Sequence, residues 1–178
     1  MVTSNLLLSV YTGGKERIMS EDCFSTILII EDEVLWQRNL ASLLQRANYQ
    51  TVQAFDYSDA LVQLQNLSHL PILAIVDLVL PNSNNPEKFV GYQMLDYLRQ
   101  RGIYAIVLSA HIPRKVTFFE EHPEIIDVVD KLRFTDQDFE SFFLEKVITA
   151  VSLAQDARQA EGKTQKQQQK LQSFFTTK

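Results

Sequence analysis

Short apolar runs recur along this chain, and each stops at a charged or hydroxyl residue. Ile27-Leu28-Ile29-Ile30 runs into Glu31-Asp32, Ile72-Leu73-Ala74-Ile75-Val76 into Asp77, and Ile106-Val107-Leu108 into Ser109-Ala110. A fourth run, Ile125 to Val129, is followed by Lys131. Apolar runs without polar alternation read as strands buried on both faces of a parallel sheet. In such sheets, ligands bind beyond the carboxyl ends of the strands. The pattern therefore sends three carboxylates, a hydroxyl and an ammonium toward one end of one sheet.

The segments between these runs have helical spacing. Val34, Leu35, Leu40, Leu43 and Leu44 predict a helix from about Glu33 to Ala47. A strand follows over about Thr51–Ala54, then a helix to Leu67 capped by Ser58 or Asp59. After Asp77, the stretch Pro81-Asn82-Ser83-Asn84-Asn85-Pro86 reads as a polar loop. A helix with Met94, Leu95 and Leu98 stops before Gly102, and a strand covers about Tyr104–Leu108. Pro113 suits the first turn of another helix. A last helix is expected from Thr135 or Asp136, with Phe139, Phe142, Phe143, Val147 and Val151 on its inner face. Strand and helix alternating with short joints predict an α/β, doubly wound parallel sheet of five strands. Residues 1–24, with Gly13-Gly14, read as an N-terminal arm, 25–155 as the domain, and 156–178 as a Gln/Lys-rich tail. The tail is either helical, prolonging the last helix, or disordered, and Gly162-Lys163-Thr164 is its natural break.

Composition narrows the classes. The net charge of −5 gives no general attraction to nucleic acid, and no basic recognition helix is evident. No apolar stretch approaches the length of a membrane span. Cys23 is the single cysteine, which excludes an intrachain disulfide and fits a reducing cytoplasm. The histidines His69, His111 and His122 lack ligand spacing and read as surface or loop residues, with His111 placed to shape water access near Ser109. Trp36, the single tryptophan, reads as core; one turn after the acidic pair, it would also report metal binding by its fluorescence.

Glu31, Asp32 and Asp77 at neighbouring strand ends raise an electrostatic problem. Two like charges ~5 Å apart repel by roughly 3 kcal/mol at an effective dielectric of about 20. Either one carboxyl keeps its proton or a cation sits among them. Oxygen-only ligands with room for water and phosphate favour Mg²⁺. A strand-end carboxylate beside that ion can attack phosphorus and form an aspartyl phosphate.

Glu31-Asp32, Asp77, Ser109 and Lys131, in this order at these strand ends, resemble the receiver domain of two-component response regulators. Pro81, four places after Asp77, and the Ser109-Ala110 pair also match. The resemblance covers about residues 25–155. It implies a flavodoxin-like (βα)5 fold with strand order 2-1-3-4-5, and Asp77 as phosphoacceptor. It further implies Mg²⁺ held by Asp32, Asp77 and the Val79 backbone carbonyl, with Glu31 acting on the ion largely through water. Ser109 and Lys131 would bind the phosphoryl oxygens. The implied donor is a histidine kinase or phosphotransfer protein, and the implied output is protein–protein contact with a downstream protein or in a homodimer, not enzymatic turnover. Three features depart from the family. Leu132 stands where proline usually follows the lysine; a cis bond before leucine costs roughly 3 kcal/mol, so a trans bond is expected. Val128 stands where an aromatic switch residue is usual, and the stretch from Asp77 to Gly91 is long, making Asn82–Val90 an enlarged rim.

Two other functions fit parts of the pattern. One is a phosphorylation-independent interaction module on the same fold, motivated by Val128 and Leu132. The other is a haloacid-dehalogenase-like phosphatase, which resembles Asp-x-Asp at its nucleophile; Val79 here leaves no general acid at that place.

Overall fold

A computed structural model describes residues 25–82, 85–112 and 116–176. The chain runs β1 (Thr26–Ile30), α1 (Val34–Arg46), β2 (Gln50–Ala54), α2 (Tyr57–Asn66) and β3 (Leu73–Val76). It continues through β4 (Pro81–Asn82), β5 (Asn85–Phe89), α3 (Gly91–Gln100), β6 (Tyr104–Ser109), α4 (Val116–Glu121), β7 (Ile125–Asp130) and α5 (Phe139–Thr176). Five strands form one parallel sheet in the order β2-β1-β3-β6-β7. Counted without the separate β4–β5 pair, that is 2-1-3-4-5, the expected topology.

The unbroken apolar runs have a simple cause. Side chains alternate between faces along a strand, and both faces are covered. Ile27, Ile29, Leu73, Ile75, Ile106 and Leu108 join one core layer with Leu40 and Leu44 of α1 and Phe143 and Val147 of α5. Their neighbours Leu28, Ile30, Ala74, Val76, Ala105 and Val107 join a second layer with Leu64, Met94, Leu98 and Phe118 from α2, α3 and α4. β7 carries one extra residue against β6, since Ala105 faces Ile125 while Ile106 faces Asp127. That shift sets Ser109 opposite Asp130, one residue before Lys131.

Several boundaries differ from the sequence reading. The cap of α2 is Asp56, whose carboxylate accepts the Asp59 N–H at 2.8 Å; Asp59 instead accepts the N–H of Phe55. Pro81–Asn82 and Asn85–Phe89 form an antiparallel hairpin rather than an open loop. The chain returns from it so close to Leu78 that a Cβ on Gly91 would lie 2.4 Å from the Leu78 Cα. Residues Lys131–Thr135 form a 3-10 turn, with Asp130 accepting the Leu132 N–H at 2.8 Å, so α5 starts at Phe139 and not at Thr135 or Asp136. The helix then continues through Gly162 to Thr176, so the break expected there does not occur. Pro113 and the arm 1–24 lie outside the described residues. Among the described residues, no helix is long and apolar enough to cross a membrane.

Candidate phosphoacceptor site

The carboxyl ends of β1, β3, β6 and β7 meet at one rim. Parallel pairing aligns Ile30 with Val76, so the next residues, Glu31 and Asp77, emerge side by side. Backbone bonds fasten both: the Glu31 N–H donates to the Ala54 carbonyl and the Asp77 N–H to the Ile30 carbonyl, each at 3.0 Å. One carboxylate oxygen from each of Glu31, Asp32 and Asp77 lies within 4.8 Å of the others. Glu31 and Asp77 are buried, and Asp32 is exposed at the mouth.

Lys131 enters this cluster from the far side of the sheet. Its Nζ lies 2.5 Å from Asp77 Oδ2 and 2.7 Å from Glu31 Oε2, and the side chain is only 7% exposed. A buried cation is tolerated only when paired in this way. Burial alone would lower the Lys131 pKa, but the hydrogen bonds to Asp77 and Glu31 outweigh it and raise it. Burial pushes the Glu31 carboxyl up to about 7, against the opposing pull of Lys131. Partial desolvation at the rim also raises Asp32, although the residue reaches solvent, and the Asp77 charge adds to the effect. One ammonium therefore does not balance three carboxylates.

The remaining expected residues stand nearby in different ways. The Val79 N–H donates to Asp77 Oδ1 at 3.0 Å, which locks the Asp77 carboxylate and holds Val79 at the rim. Ser109 is fully buried at the end of β6, beside β3; its hydroxyl accepts the His111 N–H at 3.3 Å and makes no hydrogen bond to Asp77. The Lys131–Leu132 bond is trans, as expected. Val128 is half-buried against the second core layer.

One neighbour, Gln37, was not singled out for the site by its sequence, and Trp36 was placed near it only as core and as a reporter of metal binding. Gln37, buried on α1, donates from Nε2 to the Glu31 carbonyl at 3.2 Å and the Ala54 carbonyl at 3.0 Å, bracing the corner that carries the acidic pair. A polar residue one turn after that pair, on the inward face of an amphipathic helix, was the available signal. Trp36 does pack against the core, but its ring also lies 5.4 Å from Lys131 Nζ. His122 stands in the loop before β7 but not on the surface: it is buried, and its Nδ1 lies 2.9 Å from Glu124 Oε1.

Solved structures share this architecture. The response regulator receiver domain protein (CheY-like) from Methanospirillum hungatei JF-1 is 16% identical with a TM-score of 0.61, over 76% of this chain and 99% of that one. The N-terminal domain of a response regulator/sensory box/GGDEF 3-domain protein from Carboxydothermus hydrogenoformans is 21% identical with a TM-score of 0.59, over 74% and 98%. A response regulator from Thermotoga maritima is 15% identical with a TM-score of 0.56, over 73% and 99%. No protein-family model and no curated protein matches the chain. The chain has the CheY-like receiver fold.

Proposed function

We propose that this chain is a response regulator receiver in which Asp77 accepts a phosphoryl group from a histidine kinase or phosphotransfer protein, in a Mg²⁺-dependent step. The observation that carries the reading is the junction of Asp77 with Lys131, Glu31 and Asp32 at one end of a receiver-fold sheet. An Asp77 oxygen attacks phosphorus as the bond from phosphorus to the donor nitrogen breaks. The donor set is all oxygen and carries more negative charge than Lys131 offsets, which fits a hard divalent cation. Asp32, Asp77 and the Val79 carbonyl would hold Mg²⁺, with Glu31 behind them. The ion would neutralise charge on the phosphoryl oxygens. Lys131 supplies a second, charge-assisted contact to those oxygens. The Ser109 hydroxyl accepts from His111 and so keeps its own proton to donate to the phosphoryl group. The output is a changed protein-binding surface, read by a downstream protein or a second copy of the chain in the cytoplasm, without turnover of a metabolite.

A phosphoprotein gel with acetyl phosphate tests this. Wild type should label with Mg²⁺ and not without it, and Asp77→Asn should not label at all. Wild type that stays unlabelled under both conditions would sink the proposal. Val128 supports a second reading, since no ring stands at that position to couple Ser109 to the surface. Labelling at Asp77 without any change in self-association or partner affinity would favour that second reading, a phosphorylation-independent interaction module.

A further inference from the structure

Lys131 reaches the acidic cluster from a turn that has no proline to stiffen it. Leu132 follows in a trans linkage, and the 3-10 turn from Lys131 to Thr135 is held locally by the Asp130 carboxylate. Lysine is among the side chains with most rotamer freedom to lose on burial. Contacts outside the turn must therefore set where its ammonium rests, and the Glu31 and Asp77 carboxylates are two of them. The structure provides one aromatic side chain that touches this turn at two points.

Trp36 stands on α1, four residues after Asp32. Its ring lies 5.4 Å from Lys131 Nζ, within the range of a cation–π contact. The same ring packs on Phe134 at 4.5 Å between centroids, three residues beyond Lys131 in the same turn. Phe139, at the start of α5, closes the group at 6.2 Å from Trp36 and 5.4 Å from Phe134. An ammonium has three donors. The Glu31 and Asp77 carboxylates take hydrogen bonds from it, and the indole lies 5.4 Å from the charge.

We propose that Trp36 is a positioning residue for the lysine arm: its indole holds the Lys131 turn through Phe134 and the Lys131 ammonium through its ring, fixing the reach of Lys131 to Asp77. The inference rests on the receiver reading for its effect on phosphorylation, but the placement of the ammonium is a separate observable. In a cation–π geometry, the Lys131 ε-methylene sits in the shielding zone of the indole.

The test compares the full-length wild type, Trp36→Phe and Trp36→Leu by two measurements. The first is the ¹H–¹³C spectrum of ¹³C-lysine protein, with the Lys131 signal assigned by its loss in Lys131→Arg. Wild type should show an upfield-shifted ε-methylene signal that Trp36→Phe partly keeps and Trp36→Leu returns to the bulk position. The second is the initial rate of phosphate incorporation from acetyl phosphate with Mg²⁺. Trp36→Leu should be slower by roughly tenfold, the scale of a desolvated cation–π contact, while Trp36→Phe recovers most of the rate. Circular-dichroism melts check that each variant is folded; if Trp36→Leu does not fold, the wild-type signal and Trp36→Phe still decide. An unshifted Lys131 signal in wild type, or a folded Trp36→Leu that phosphorylates at the wild-type rate, overturns the proposal. Absence of phosphorylation in wild type would instead overturn the receiver reading, and the Lys131 signal would still decide the role of Trp36.

Discussion

Buried polar side chains meet beyond each end of β7, and the two groups are built differently. At its amino end, His122 meets Glu124 at 2.9 Å beneath Phe118 and Tyr92, whose rings lie 4.9 and 6.4 Å from the imidazole. That pair is one imidazole for one carboxylate, with aromatic rings against the imidazole. Only Glu124 Oε2, among the described residues, is a buried side-chain oxygen without a hydrogen-bond partner. At the carboxyl end, Lys131 faces Glu31 and Asp77, with Asp32 exposed beside them. That end has an excess of negative charge and an opening to solvent. The first group has one carboxylate and one imidazole among aromatic rings; the second has three carboxylates around one ammonium, with Asp32 reaching solvent.

The comparison can be broken most forcefully at the amino end. His122→Ala removes the hydrogen-bond partner of the buried Glu124 carboxyl and should cost about 3 kcal/mol in urea unfolding. Added Mg²⁺ should not recover that loss; a variant that Mg²⁺ rescues would erase the distinction between the two ends.

At the open end, pH is the next lever. The folded-state pKa of Glu31, about 7, lies above its ordinary value of 4.5. Between those values the folded chain keeps a proton that the unfolded chain has lost. Stability from this group is therefore complete below about pH 4.5 and declines as pH rises toward about 7, by up to about 3 kcal/mol. Urea titrations across that window should show the decline, and Glu31→Gln should flatten it.

Lys131→Met should destabilise the domain by about 2 kcal/mol, because two buried carboxylates lose their cation. Thermal melts should then show a larger Mg²⁺-induced rise in midpoint than wild type, since the ion binds the folded site alone. Equal responses would mean that the carboxylates do not share a cation site. The smallest effect belongs to Arg46→Ala. Its pair with Glu140 is exposed on both sides, so unfolding should change by less than about 0.5 kcal/mol.

Much of the fold was legible in the chain. The runs at Ile27, Leu73 and Ile106 lack polar alternation because helices cover both sheet faces, and that alone marks a parallel sheet. The candidate site residues were legible for the same reason: each follows a run, and strand ends in such a sheet collect at one rim. The hairpin after Leu80 was not legible, because Asn- and Pro-rich segments suit loops and hairpins alike. The start of α5 was not legible, because a 3-10 turn capped by Asp130 takes residues whose pattern also suits a helix start.

The apolar patterning alone determined the sheet, its buried strands and the gathering of Glu31, Asp32, Asp77, Ser109 and Lys131 at one end, because periodicity and strand polarity are properties of the chain itself. Packing between distant segments decided the rest. Trp36 beside Lys131, Gln37 bracing the acidic corner and His122 set against Glu124 are contacts across the fold, and only the closing of helices onto the sheet creates them.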